Sequence, residues 1–458
     1  MIRLSRHSSR ISARHLAWVA LAVTACKADG GAHAARGPSA PAFTADSAHI
    51  APVVRPSAIT PPGAANAPGP RTKPTGAPAS PRAAAPSPDT TIVRALYVNR
   101  WASQSEPRMR GLVRIADSSE INALVIDLKD EFGLNYESVD SLVRRHAGSA
   151  GHIPHLAQLL DTLKAHHIRP IARLVVFKDS VTARLEPEHT IRKEDGTAWH
   201  DKKGLTWVDP YDHAIWEYNI RVAVELAQMG FSEIQFDYIR FPEPYKSLPT
   251  QVFRDVNGVS KPEALSSFFR AACPRIHAAG ARCTADIFGM VATVPGALEV
   301  GQSWQPLAPE VDVLLPMVYP SHYPHGSFGL DHPNAEPYAV ISAALTRAHA
   351  RDRALGILSP THVRPWLQAF SLKGMQPKYG AHELEEQKRA VYDAGYDGWV
   401  LWNPGSVYEP YLPALERKRV SHRKTPPRAT DSTRVASARA DSHSVASARS
   451  DTSSVAQR

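Results

Sequence analysis

Between residues 91 and 415 two kinds of hydrophobic pattern alternate along the chain. Short runs rich in β-branched and aromatic residues predict strands. They are TIVRALYV (91–98), INALVIDLK (121–129), IRPIARLVVF (168–177), EIQFDYIRF (233–241), RCTADIF (282–288), VDVLLPMVY (311–319), VRPWLQAF (363–370) and GWVLWN (398–403). Between them lie helical stretches: MRGLVRIADSSE, IPHLAQLLDTLKAHH, HAIWEYNIRVAVELAQMG, PEALSSFFRAACPRIHAAG, EPYAVISAALTRAHA and AHELEEQKRAVYDAG. Several end in Gly, as helix C-termini often do. Eight strand-then-helix units predict a (β/α)8 barrel. A doubly wound open sheet is the alternative, but no glycine-rich phosphate loop follows the first strand. In a barrel, reactive residues belong at the C-terminal strand ends, where the βα loops meet.

Those ends carry polar groups that a core does not need. The second strand ends in IDLKDEFG, with Asp127, Lys129 and Asp130. The third supplies Arg173, Lys178 and Asp179, the fourth Asp237 and Arg240, and the fifth Asp286. The sixth ends with Tyr319, Ser321 and His322, the seventh holds Trp366 and Gln368, and the eighth Trp402 and Asn403. Alternation sharpens the expectation. In the fourth strand Ile234, Phe236 and Tyr238 should face the helices, while Gln235 and Asp237 face inward. In the fifth, Thr284 and Asp286 face inward. Two neighbouring strands would then each aim one carboxylate into the barrel mouth. Cleavage of a glycosidic bond needs such a pair, one ionised and one holding a proton. Arg240 and Arg173 are placed to favour the ionised partner, although an inward Asp beside an Arg also fits a purely structural ion pair. Trp207, Trp366 and Trp402 lie near loops or strand ends and are expected as sugar platforms; core packing is the alternative. The histidines form no H-E-x-x-H pattern, and HYPH (322–325) is a weak metal signal, so no metal or cofactor is expected.

The two ends of the chain differ from this core. Arg3, Arg6, Arg10 and Arg14 precede the apolar run LAWVALAVTA (16–25), the layout of a signal peptide. The run closes on VTAC (23–26), which resembles a bacterial lipobox with Cys26 as the lipidated residue. Residues 1–25 therefore read as a signal peptide and 26–90 as a lipid-anchored tether rich in Pro and Ala. Residues 91–416 read as the folded domain, and 417–458 as a basic disordered tail with repeated VASAR segments. Each arm carries ten Lys and Arg against three Asp, so the whole chain's +9 belongs to the arms and the domain is mildly acidic. That argues against a nucleic-acid surface on the domain. Cys273 and Cys283 flank a helix-to-strand turn, so either a disulfide or two buried thiols would fit.

Several of these stretches together resemble a known family: NALVIDLKDEFG, IARLVVFKD, WVDPYDHAIWEYNI, GFSEIQFDYIRFP, TADIFG, LLPMVYPSHY, RPWLQAF and GWVLWNP. The resemblance is to the bacterial glycoside-hydrolase-like TIM-barrel domains long catalogued as a domain of unknown function, and it spans roughly residues 92–410. It implies a (β/α)8 barrel, and a nucleophile at the end of the fourth strand, Asp237. Asp286 is the first choice as general acid/base, Asp130 the second, and Glu243 a loop alternative. Arg240, Arg173, Lys129, Lys178, Gln235, Tyr319, His322, Trp207, Trp366, Gln368 and Trp402 are expected around the substrate. The expected activity is hydrolysis of a polysaccharide by an exported envelope lipoprotein, held to a membrane through its lipid anchor. The alternatives are a non-catalytic carbohydrate-binding barrel and a metal-dependent polysaccharide hydrolase or deacetylase using Asp and His ligands.

Overall fold

The computed structural model describes residues 92–254 and 256–417. The signal segment, Cys26 with the tether, and nearly all of the basic tail lie outside the described residues. Among the described residues nine strands form: β1 (Arg94–Val98), β2 (Ala123–Asp130), β3 (Gly133–Leu134), β4 (Arg169–Val175), β5 (Glu233–Asp237), β6 (Arg282–Phe288), β7 (Val313–Met317), β8 (Trp366–Gln368) and β9 (Trp399–Trp402). β3 folds back antiparallel on β2 as a short hairpin. The other eight run parallel, and β1 pairs with both β2 and β9, which closes the barrel.

The six expected helices are present as Glu106–Ser118, Leu156–Ala165, His213–Met229, Lys261–Ala278, Pro337–Ala354 and Ala381–Asp393. Their ends follow from local chemistry. Asp212 caps His213–Met229 by accepting from Ala214 N, and Gly230 closes it with φ 111°. Ser260 caps Lys261–Ala278 in the same way, through Glu263 N. The β6–β7 connection differs: it holds the short helix Trp304–Leu307 and two 3-10 turns, Gly289–Ala292 and Ala308–Glu310.

Alternation along the strands produces two apolar layers. Leu96, Leu124, Ile126, Leu174, Ile234, Phe236, Ala285 and Ile287 pack outward under the helices. Ala95, Ala123, Val125, Ile171, Val313, Leu315 and Val400 fill the barrel interior. Fully burying one such Leu, Ile or Val side chain is worth about 1.5–3 kcal/mol. Below this plug, Glu233 of β5 pairs bidentate with Arg364, at 2.7 and 3.0 Å, and accepts from Thr284 at 3.1 Å. A buried ion pair at the strand-start end belongs to stability, not to the mouth.

Two expectations change here. β5 stops at Asp237, four residues before the predicted Phe241, because Tyr238 takes φ 49°. A bulky residue with left-handed backbone ends the ladder and turns the chain into a loop. Tyr238 and Arg240 therefore leave the strand and line the mouth. The cysteine question is also answered: Cys273 and Cys283 are joined, tying helix Lys261–Ala278 to β6 across a sequence separation of 10. For a loop that short, loop-closure entropy predicts that the double replacement Cys273→Ser and Cys283→Ser costs roughly 2–3 kcal/mol. Urea unfolding of the two proteins checks this. Equal midpoints would mean that the bond contributes nothing.

Candidate active site

The site is built around one guanidinium. Arg173 rises from β4 at the inward position that pairs in register with Asp127 of β2 and Gln235 of β5. Its Nη1 donates to Asp127 Oδ1 at 2.5 Å. Its Nε donates to Asp237 Oδ2 at 3.0 Å, and its Nη2 donates to the same oxygen. Asp286 Oδ2 stands 3.9 Å from the same Nε. Three carboxyls from β2, β5 and β6 thus converge on a single cation.

Each carboxyl has a different second environment. Asp237 Oδ1 accepts from Tyr238 N at 2.6 Å, so every contact to this side chain is from a donor. Asp127 Oδ2 accepts from the Tyr97 hydroxyl at 2.5 Å. Asp286 Oδ1 accepts from Gln235 Nε2 at 2.8 Å and from Trp366 Nε1 at 2.6 Å, while Oδ2 is buried without a hydrogen bond.

Burial dominates the electrostatics. It pushes the Asp286 carboxyl well above the carboxylate range; the Asp237 charge adds to this, and Arg173 opposes it incompletely. Asp127 is pushed up to about 6 by burial, against the pull of Arg173. A folded value above the unfolded one of about 3.9 fixes the sign of a pH effect. The contribution of Asp127 to stability is complete below the unfolded value and is lost as pH rises through about 6. Relative to wild type, Asp127→Asn should therefore gain stability between about pH 4 and 6, with a slope of up to about 1.4 kcal/mol per unit. Denaturant midpoints across that window measure it. A flat difference would place the titration elsewhere.

The rim has an aromatic side and a cationic side. Trp402 is half-buried and stacks on Tyr319 with centroids 5.5 Å apart, with Phe370 edge-on at 5.0 Å. His322 packs beside Tyr319 and Phe370, and burial pushes it down to about 4, so it is neutral at pH 7. Opposite, the Arg240 guanidinium lies 5.0 Å from the Trp207 and Tyr238 ring centres and 4.7 Å from that of Phe288. The Lys178 ammonium lies 4.8 Å from the Tyr238 ring centre.

Several sequence expectations are corrected by these positions. Asp130 is not in the cluster: Arg100 grips it through Nε and Nη2, both at 2.8 Å. Lys129 points into the helix layer, where it is sealed against Asp179 at 2.7 Å and the Tyr218 ring. The register shift in β2 after Asp127 breaks the alternation that would have kept it near the mouth. Arg240 pairs with Glu243 at 3.0 Å rather than with Asp237. Trp366 and Trp207 are 2% and 1% exposed and present no face to a sugar. Trp366 holds Asp286, and Trp207 supports Arg240 and donates to Asp201. Gln368 is buried and accepts from Ser321 N, fixing the loop that carries His322. Asp286 stays in the cluster but is 1% exposed, against 8% for Asp237. Tyr97 and the central part played by Asp127 were missed. The alternation Ala95–Tyr97 and Ala123–Val125–Asp127 already placed both inward.

A closed parallel barrel with its carboxyls gathered at the C-terminal strand ends defines the class: a (β/α)8 barrel with an enzyme-like mouth. The chain belongs to the family described as "putative glycosyl hydrolase domain", which matches residues 95–408. Among solved structures, the PgaB (BpsB) glycoside hydrolase domain from Bordetella bronchiseptica has a TM-score of 0.51 at 14% identity. That match covers 72% of this chain and 100% of that one, and it is a likeness of fold. A hypothetical protein from Ruminiclostridium thermocellum ATCC 27405 is 36% identical over 42% of this chain and 96% of its own, with a TM-score of 0.38. A class V chitinase from Pseudomonas fluorescens Pf-5 is 12% identical over 71% of this chain and 98% of its own, with a TM-score of 0.43. No curated protein matches the chain. Among the described residues, no group of three or more His, Cys, Asp or Glu is placed to hold a metal ion, and no helix is long and apolar enough to cross a membrane.

Proposed function

We propose that this protein hydrolyses glycosidic bonds of a polysaccharide, with Asp237 as the carboxylate that attacks the anomeric carbon or activates water. The observation that carries the reading is the unequal pair at one Arg173 nitrogen. Asp237, at 3.0 Å, accepts only from donors; Asp286, at 3.9 Å, is driven by burial towards its protonated form. Membership of a glycosyl hydrolase family supports the same reading, as does the fold shared with the PgaB glycoside hydrolase domain.

We further read the protein as exported and tethered to a membrane through Cys26. The Cys273–Cys283 bond supports an oxidising compartment. The Pro- and Ala-rich segment from 26 to 90 would let the barrel reach polymer away from the bilayer.

A binding-only barrel is the second reading. It is favoured by one observation, that Arg173 occupies Asp237 through two N–H groups and leaves it 8% exposed. The full-length protein incubated with bacterial and plant polysaccharides, followed by reducing ends, separates the two. Release of new reducing ends supports hydrolysis. Retention of a glycan on the protein without cleavage supports binding alone.

A further inference from the structure

Hydrolysis also needs a protonated carboxyl that can touch the leaving oxygen, and Asp286 is sealed from it. The turn after β2 offers another. Arg100 grips Asp130 and also donates to Leu134 O and Gly151 O at 2.9 Å each. Asp130 Oδ1 in turn accepts from Phe132 N at 2.9 Å. The far side of the turn is fixed by backbone contact. A Cβ on Gly133 would stand 2.4 Å from Ala147 O, and one on Gly148 would stand 2.1 Å from Phe132 O. The turn is therefore locked on its outer side, and the residue it carries at its head is Glu131.

Glu131 is partly exposed, unlike Asp127, Asp237 and Asp286. Among the described residues no other side chain pairs with it or donates to it. Glu131 directly follows Asp130, the last residue of β2, so the turn carries it at the C-terminal end of the barrel strands, the end at which Asp127, Asp237 and Asp286 gather. Lys178 is itself nine-tenths buried, with the Tyr238 ring as its close neighbour. Glu243, the loop alternative, is tied to Arg240, and Asp201 accepts from Trp207.

We infer that Glu131 is the catalytic acid/base, delivering its proton to the glycosidic oxygen as the C–O bond breaks at the carbon engaged by Asp237. This rests on the glycoside hydrolase reading. In the first step the Asp237 carboxylate bonds to the anomeric carbon, the C–O electron pair goes to the leaving oxygen, and the Glu131 proton makes it a hydroxyl. In the second, water adds to the anomeric carbon, its proton returns to Glu131, and Asp237 is released. Burial and the adjacent Asp130 charge push the Glu131 carboxyl up, the direction a proton donor requires. Asp286 becomes a positioning residue acting through Arg173 and Asp237.

The test uses full-length protein and a panel of 4-nitrophenyl and phenyl glycosides, α and β, of hexoses, hexosamines, N-acetylhexosamines and uronic acids. Glu131→Gln should lose about 10²–10⁴-fold in kcat/KM on the phenyl glycoside, whose leaving group needs a proton, and less than about tenfold on the nitrophenyl one. The basic limb of its pH profile should disappear, and azide should restore turnover in Glu131→Ala. Asp286→Asn should slow both leaving groups alike. If Glu131→Gln is indifferent to the leaving group while the wild type turns over, the acid/base assignment is overturned and the hydrolase reading stands. If the wild type cleaves no glycoside or polysaccharide, both fall together. Circular dichroism of Glu131→Gln, whose side chain is isosteric and partly exposed, guards against misfolding as the cause.

Discussion

Asp237→Asn should abolish hydrolysis of whichever polysaccharide the wild type cleaves, by at least about 10⁴-fold in kcat/KM. Asn keeps the shape and the oxygen that accepts from Arg173, but it cannot form a stable ester with an anomeric carbon or take a proton from water. The backbone that presents it is fixed independently of its charge. Asp237 O accepts from Val176 N at 2.9 Å, and Tyr238 is held in its left-handed conformation beside Trp207. Arg173 keeps Asp127 as a partner in this variant, so the fold should survive at some cost in stability, and the kinetic loss can be read as chemistry at temperatures below its melting transition. Reducing-end release and a melting curve on the same samples decide it. Equal activity in both proteins would remove Asp237 from the reaction and return the site to carbohydrate binding.

Arg173→Met should produce the second large effect, this time on stability. One cation lies against three buried carboxyls, and its removal leaves them uncompensated. Breaking a buried ion pair from one side costs about 3–5 kcal/mol. The loss should grow with pH. At acid pH the carboxyls avoid repulsion by holding protons, as burial already makes Asp127 and Asp286 inclined to do. At pH 8 each must either ionise without a partner or retain a proton against the solution. Urea unfolding at pH 4.5 and pH 8, wild type beside Arg173→Met, measures the difference. Arg173→Lys should fall between them, since an ammonium keeps the charge but not the fork that bridges Asp127 and Asp237. A mutant as stable as wild type at pH 8 would show that the three carboxyls do not depend on this cation.

These expectations meet at residues that were unevenly legible in the sequence. Strand periodicity is a local property, fixed by alternating side-chain direction, and so it placed Gln235, Asp237 and Asp286 inward without any knowledge of neighbours. Nearness to a strand end misplaced Lys129, because a register shift in β2 is a response to pairing with β4 and leaves no mark in β2's own pattern. Periodicity also ran the fourth strand on to Phe241, because no residue there signals that Tyr238 will turn left-handed. The tryptophans failed for a similar reason. Composition puts an aromatic ring near a strand end, but only packing decides whether its face meets solvent, as for Trp402, or its edge holds a carboxyl, as for Trp366.

By itself the sequence determined the order of strands and helices, the closed parallel barrel they imply, and the end of that barrel where the chemistry gathers. Those follow from period, turn residues and chain order, which are properties of neighbours along the chain. The tertiary structure alone decided which of many strand-end charges meet. Asp127, Asp237 and Asp286 are far apart in sequence, and barrel closure and strand register bring them to one Arg173. Once together in a space that excludes water, burial reassigns their protons and makes otherwise ordinary aspartates chemically unequal.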